Sequence, residues 1–174
     1  MLKHPPSASP KPSAAGLDGH YLQRKNGISY MNILEIKIAA SEDIEKIIPA
    51  FKELRPHRTE DDLRILFPIL FNEGYKVAFI GNEELAYSVI GFRILTFLWS
   101  GKTLYVDDLS TLSGFKKNGY AGQLFQWTKQ YAKENNCDHF SLNSGFQRRD
   151  AYRFYLNQGL FVESLHFARK VDEL

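Results

Sequence analysis

Between residues 75 and 112 the apolar positions fall into three runs of strand length, Tyr75 to Gly81, Leu85 to Leu98 and Lys102 to Leu112. Only Asn82-Glu-Glu84 and Ser100-Gly-Lys102 separate them. Short polar or glycine breaks of that kind turn a chain back on itself, so an antiparallel meander is predicted. Upstream, Asn32 to Ile38 alternates Leu34, Ile36 and Ile38 with Ile33, Glu35 and Lys37, the pattern of a half-buried strand. Helical spacing then takes over. Ser41 offers an N-cap, with Glu42 and Asp43 at the positive end of the helix dipole, and Ile44, Ile47, Ile48 and Phe51 share one face. Thr59 caps a second helix, with Leu63, Leu66, Phe67, Leu70 and Phe71 inward and Gly74 as its stop. Pro49 and Pro68 fall inside these helices and are expected to kink or break them.

Past the meander, Ala121, Leu124, Phe125, Thr128 and Ala132 form one face of a third helix. A strand from His139 to Asn143, a helix opening near Arg148 and a last strand from Leu160 to about Lys170 complete the chain. The predicted order is β-α-α-β-β-β-α-β-α-β, an α/β fold with one mixed, mostly antiparallel sheet and helices on both sides.

Composition narrows the function classes. No apolar run approaches the roughly 18 residues of a membrane span. The net charge of +2 is misleading, because Lys3, Lys11, Arg24 and Lys25 against Asp18 give the first thirty residues +3. Residues 31–174 therefore carry −1, which argues against a nucleic-acid-binding face. Residues 1–30, rich in Pro, Ser, Ala and Gly, are read as a disordered or non-native extension, with Met31 as an alternative start, and residues 31–174 as one domain. Cys137 is the only cysteine, which fits a reducing compartment, the cytoplasm, and a structural thiol. The five histidines have no metal-ligand spacing, so no metal site is expected.

The candidate chemistry begins at Lys116-Lys117-Asn118-Gly119-Tyr120-Ala121-Gly122, a basic glycine turn between a strand and a helix. Such a junction holds anions, since free backbone N–H groups and the helix dipole converge there. The same glycines also suit a simple tight turn. Downstream residues separate these readings. Lys116-x-x-Gly119-x-Ala121 and the later Ala151-x-x-Phe154-Tyr155-x-x-x-Gly159-Leu160-Phe161 together resemble the two signatures of the GNAT superfamily of acyl-CoA-dependent N-acyltransferases, in the family's order. The resemblance is strong from Leu104 to Lys170, faint from Asn32 to Gly101 and absent before that. Lys116 replaces the usual Arg or Gln, and Gly-Leu-Phe replaces Gly-Phe.

The resemblance implies acetyl-CoA as co-substrate and transfer of its acetyl group to an amine of a small molecule or peptide in a ternary complex. It places the pyrophosphate on the amides of Lys117, Asn118, Gly119, Tyr120, Ala121, Gly122 and Gln123, with charge from Lys116 and Lys117. It places the pantetheine arm along Leu109, Ser110, Thr111 and Leu112, where an N–H near Leu109 would polarise the thioester carbonyl. Tyr155 matches the family tyrosine that protonates the leaving thiolate. Asp107 matches the position of a carboxylate base in many relatives, and Asp108 is its neighbour; a two-residue strand repeat puts them on opposite faces, so one alone is expected to face the acceptor. Arg148 and Arg149 are within reach of a CoA phosphate or simply exposed, and Asn143 and His139 on the next strand are weaker candidates for the base, read first as structural.

An acceptor lining of Phe51, Arg55, His57, Arg58, Phe71, Tyr75 and Trp99 suits an amino acid, a small amine with a carboxylate or an antibiotic better than a polyamine. A homodimer is compatible with this reading; nucleic-acid and membrane partners are not expected. Two alternatives stand beside it. One is an inactive CoA-binding module of the same fold. The other is a nucleotide binder, which needs a fuller Gly-x-Gly-x-x-Gly pattern than this chain has.

Overall fold

The computed structural model describes residues 34–173, together with the backbone of two short strands, β1 (Gln23–Lys25) and β2 (Ile28–Tyr30). These strands pair antiparallel, with Lys25 opposite Ile28, inside a first compact unit, Met1–Glu35. The reading of residues 1–30 as an extension otherwise falls outside the described residues.

The second unit, Ile36–Leu174, runs β3 (Lys37–Ile38), α1 (Ile44–Leu54), α2 (Glu60–Asn72), β4 (Lys76–Gly81), β5 (Ala86–Phe97), β6 (Gly101–Thr111), α3 (Tyr120–Glu134), β7 (His139–Leu142) and α4 (Arg149–Asn157). Its sheet has the order β3-β4-β5-β6-β7, antiparallel except for the parallel β6–β7 pair. This is the mixed α/β class expected.

Strand alternation sends Val77, Phe79 and Val89 to one face, where Ile47, Ile48 and Phe51 of α1 and Leu63 and Phe67 of α2 cover them. The intervening Ala78, Ile80 and Ile90 are equally buried on the face covered by α3. There Phe92 meets Tyr131 and Trp127 edge-on, with ring centroids 5.2 and 6.2 Å apart. Each large apolar side chain so buried contributes about 1.5–3 kcal/mol relative to exposure. Leu124, Phe125, Thr128 and Ala132 form the buried stripe of α3, and the Thr128 hydroxyl donates to Leu124 O at 2.7 Å, so its burial leaves no unmet donor.

Local signals account for the helix ends. Thr59 Oγ1 accepts from Asp62 N–H at 3.0 Å and Thr59 N–H donates to Asp62 Oδ2 at 2.8 Å, a reciprocal cap. Pro49 and Pro68 sit within α1 and α2 without ending them. Each removes one backbone bond, but the packed apolar stripe, which supplies most of a helix's stability, is intact. A short 3-10 turn, Ser41–Asp43, precedes α1 in place of a simple Ser41 cap.

The first and last predicted strands are corrected. Among the described residues the first is only Lys37–Ile38, after which the chain turns into the 3-10 segment. Residues 160–170 adopt no regular structure, and Phe161, Val162, Leu165 and Phe167 are exposed. Alternation describes side chains, whereas a strand also needs a partner for its N–H and C=O groups. Among the described residues the sheet ends at β7, which pairs with β6. No helix among the described residues is long and apolar enough to cross a membrane.

Candidate active site

Strands β6 and β7 pair only from Thr103 to Val106, while β6 continues against β5 to Thr111. From Asp107 to Thr111 the outer edge of β6 therefore has no neighbouring strand among the described residues. Leu112 N–H donates to Tyr87 O at 2.9 Å, across to the β5 side, and Ser110 O accepts from Ser88 Oγ at 3.0 Å on the same side. By the two-residue repeat, Leu109 and Thr111 direct their N–H and C=O groups toward the open edge.

The turn that follows is held from α1. Glu53 accepts from Ser113 N–H at 3.0 Å and from its hydroxyl at 2.8 Å, and Phe115 stacks on Tyr87 with centroids 4.0 Å apart. Lys117 takes φ +66° and Gly119 φ +79°, two left-handed residues that bring the chain sharply into α3. Asn118 Nδ2 donates to Phe115 O at 3.0 Å, and exposed Lys116 reaches Ser113 Oγ at 3.4 Å. The N-cap of α3 is Gly119, which has no side chain to offer as a cap, and Gln123 N–H donates to Gly119 O at 3.1 Å. The positive end of a 15-residue helix is thus presented beside the open edge of β6.

Two further details fit an anionic ligand with an extended arm at this place. A Cβ on Gly122, in the first turn of α3, would meet nothing within 4 Å, so packing within the chain gives no reason for a glycine there. The Gln123 side-chain nitrogen and the Ser144 hydroxyl are buried without a hydrogen-bond partner among the described residues. An orphaned buried donor costs about 1–3 kcal/mol unless a ligand or water satisfies it.

The acidic pair sits where β6 bends. Gly91 lies opposite Asp108 and Phe92 opposite Val106, which leaves Asp107 as the extra residue of a β-bulge. The bulge overturns the expectation that the two carboxylates part to opposite faces. Both line one cavity of roughly 200 Å³, together with Leu109, Asn143, Arg148 and Tyr155. Arg93 Nε donates to Asp107 Oδ2 at 3.0 Å. Arg55 donates from Nε and Nη2 to Asp108 Oδ1 at 3.1 and 2.6 Å, and the Tyr75 hydroxyl donates to Asp108 Oδ2 at 2.8 Å. A Cβ at Gly91 would overlap that hydroxyl, so the glycine lets Tyr75 reach across the strand. Burial pushes the Asp107 carboxyl above its ordinary range; Arg93 opposes this and the Asp108 charge adds to it. Burial and the Asp108 charge together hold the Tyr75 phenol well above its ordinary value.

Tyr155 reaches the same cavity from α4. Its ring lies against Phe125 of α3, with centroids 5.7 Å apart, and Phe125 also meets Phe140 and Phe154 edge-on. Burial raises the Tyr155 pKa, with Arg148 opposing, so the phenol stays protonated at neutral pH. Arg148, at the N-cap of α4, lines the cavity; Arg149 does not. Asn143, which lines the cavity, has its Nδ2 3.1 Å from His166 Nδ1; His139 does not line it, and its Nδ1 lies 2.8 Å from Ser100 O. Cys137 is half-buried. No group of three His, Cys, Asp or Glu side chains that could hold a metal occurs among the described residues.

A second cavity of roughly 300 Å³ opens between α1, α2 and the sheet, and Arg55 and Asp108 line both cavities. Five residues of the expected acceptor lining, Phe51, Arg55, His57, Arg58 and Tyr75, are found there. Phe71 and Trp99 are not: Phe71 packs beside Phe67, and Trp99 lies between Phe97 and His139 near the β5–β6 turn. Sequence reasoning missed Glu53, Arg93 and Ser144. Arg93 left a trace, a lone charge within the apolar run of β5.

The chain belongs to the GNAT acetyltransferase family, whose model matches residues 42–160. Membership places it among the acyl-CoA-dependent acetyltransferases. It is 26% identical over 137 residues to the Bacillus subtilis uncharacterized N-acetyltransferase YhdJ, covering 78% of this chain and 96% of that one. It is 22% identical over 148 residues to the aminoalkylphosphonate N-acetyltransferase of Salmonella typhimurium, covering 80% and 92%. Among solved structures, the aminoglycoside N-acetyltransferase AAC(6′)-Iy in complex with CoA superposes with a TM-score of 0.69 at 14% identity, covering 79% of this chain and 94% of that one.

Proposed function

We propose that this acetyltransferase moves the acetyl group of acetyl-CoA to a primary amine of a small molecule or peptide by direct attack within a ternary complex. One observation carries the reading: the open edge of β6 runs from a cavity lined by Asp107, Asp108 and Tyr155 to the N-terminal end of α3. Acetyl-CoA supplies the activated acyl group and its thiol leaving group. The amides from Lys117 to Gln123 would hold its diphosphate, with Lys116 and Lys117 adding charge, and Leu109 to Leu112 would bond its extended arm as an added strand does.

Leu109 N–H then faces the thioester oxygen and stabilises negative charge as it develops. Asp107 takes the proton from the attacking amine, directly or through a water, as the new N–C bond forms. Tyr155 gives its phenolic proton to the sulfur as the C–S bond breaks, so that an amide and a free thiol leave. Asp108, held by Arg55 and Tyr75, orients the acceptor beside Asp107. The name of the Salmonella relative suggests an aminoalkylphosphonate as one acceptor of this kind. The lone cysteine favours the cytoplasm as the compartment.

The Asp107 role has a pH signature. A base must be ionised, and burial raises the carboxyl, so the acid limb of kcat/KM should lie above the ordinary aspartate value of about 3.9. In Asp107→Asn that limb should vanish and kcat should fall by about a hundredfold. Thiol release followed from pH 3.5 to 9 checks this; an unchanged profile would assign Asp107 to structure alone.

A further inference from the structure

We propose that the cavity between α1 and α2 selects an acceptor with a compact apolar body and an anionic group, and that Arg58 binds the anion. The proposal rests on the reading that the adjoining Asp107–Tyr155 cavity performs acetyl transfer. At about 30 Å³ per water, a cavity of roughly 300 Å³ holds some ten waters, the scale of a single small amine. Leu66 and Leu70 lie on the inward stripe of α2 and line this cavity, and both are only half-buried, although Leu70 also packs against the core. An apolar ligand body would complete their burial, as such pockets commonly require.

The charges point the same way. Across both cavities the lining includes Arg55, Arg58 and Arg148 against Asp107 and Asp108. Both carboxylates are already paired, Asp108 with Arg55 and Asp107 with Arg93. A positive excess therefore remains, so a polyamine entering here would meet like charge and a carboxylate would meet opposite charge. Arg58 and Arg148 are the cations left over, and of the two only Arg58 lines the cavity between α1 and α2. Its guanidinium forms no close salt bridge among the described residues; its charge acts on the Asp62 carboxylate, which is itself engaged in capping α2.

The loop that carries Arg58 is held in place. Lys52 Nζ donates to Pro56 O at 3.0 Å and to Arg58 O at 2.6 Å, and Arg58 N–H donates to Arg55 O at 2.9 Å. A charged group on a backbone so fixed binds an anion with less ordering cost than one on a free loop.

The test is steady-state thiol release by the full chain with acetyl-CoA and three acceptors: phenylalanine, 2-phenylethylamine and spermidine. The wild type should prefer phenylalanine to 2-phenylethylamine by about tenfold in kcat/KM, with spermidine poorest. Arg58→Gln should raise KM for phenylalanine by about tenfold, leave its kcat unchanged and leave kcat/KM for 2-phenylethylamine within about twofold. Turnover of spermidine or 2-phenylethylamine in preference to phenylalanine would overturn the acceptor class while leaving the transferase reading intact. Equal losses for both aromatic amines in Arg58→Gln would overturn the role of Arg58. Thiol release with none of the three by a protein that binds acetyl-CoA in calorimetry would overturn the acceptor class alone; absence of acetyl-CoA binding as well would overturn the transferase reading with it.

Discussion

Gly119→Val is expected to weaken acetyl-CoA binding at least a hundredfold while the protein stays folded. Gly119 sits at φ +79° as the N-cap of α3. A β-branched residue there costs on the order of 1–3 kcal/mol of backbone strain, a modest part of the roughly 5–15 kcal/mol that holds a domain folded. The melting temperature should therefore drop by several degrees without loss of cooperative unfolding. The α3 amides would be turned from the place where a diphosphate is held. Gly122→Ala sharpens the result. Its Cβ would meet nothing in the chain, and alanine favours a helix over glycine by about 1 kcal/mol. If a phosphate lies against Gly122, this variant should melt higher and bind acetyl-CoA more weakly, two effects that a purely structural glycine would not combine. Calorimetric titration and thermal melts of both variants decide it; undiminished affinity in Gly119→Val would remove the cradle from the account.

Tyr155→Phe is expected to lower kcat by about a hundredfold, the scale of a lost general acid, with acetyl-CoA affinity within about threefold of wild type. The phenylalanine ring keeps the contacts to Phe125 and Phe154 that place Tyr155, so the loss falls on the hydroxyl. Since burial raises the phenol's pKa, the basic limb of the wild-type kcat profile should lie above the ordinary value of about 10, and the variant should lack it. Single-turnover thiol release separates chemistry from binding. Wild-type turnover in the variant would leave Tyr155 as a core residue.

Local rules made much of the fold legible. Thr59 caps α2, Gly119 opens α3, and the meander follows its Asn82 and Gly101 turns because each feature depends on residues within a few positions of one another. The position of Tyr155 in the site was legible only through a two-part motif. What stayed hidden depends on distant partners. The bulge at Asp107 is decided by β5 opposite it, and it reverses the facing of two adjacent acids. The Arg55–Asp108 pair spans 53 residues, and Glu53 reaches Ser113 across 60. The run from 160 to 170 shows the converse: its alternation reads as a strand, yet pairing is a property of an edge elsewhere in the fold. Charged residues inside apolar strands, Arg93 facing Asp107, were the best available hint of the network.

The central claim is that α3 and the open edge of β6 hold acetyl-CoA. Calorimetric titration of the full chain with acetyl-CoA, beside NAD and ATP, tests it most directly. The account predicts one site with affinity on the order of micromolar for acetyl-CoA and at least tenfold weaker binding of the two nucleotides. No heat of binding with acetyl-CoA, or equal affinity for all three, would contradict it.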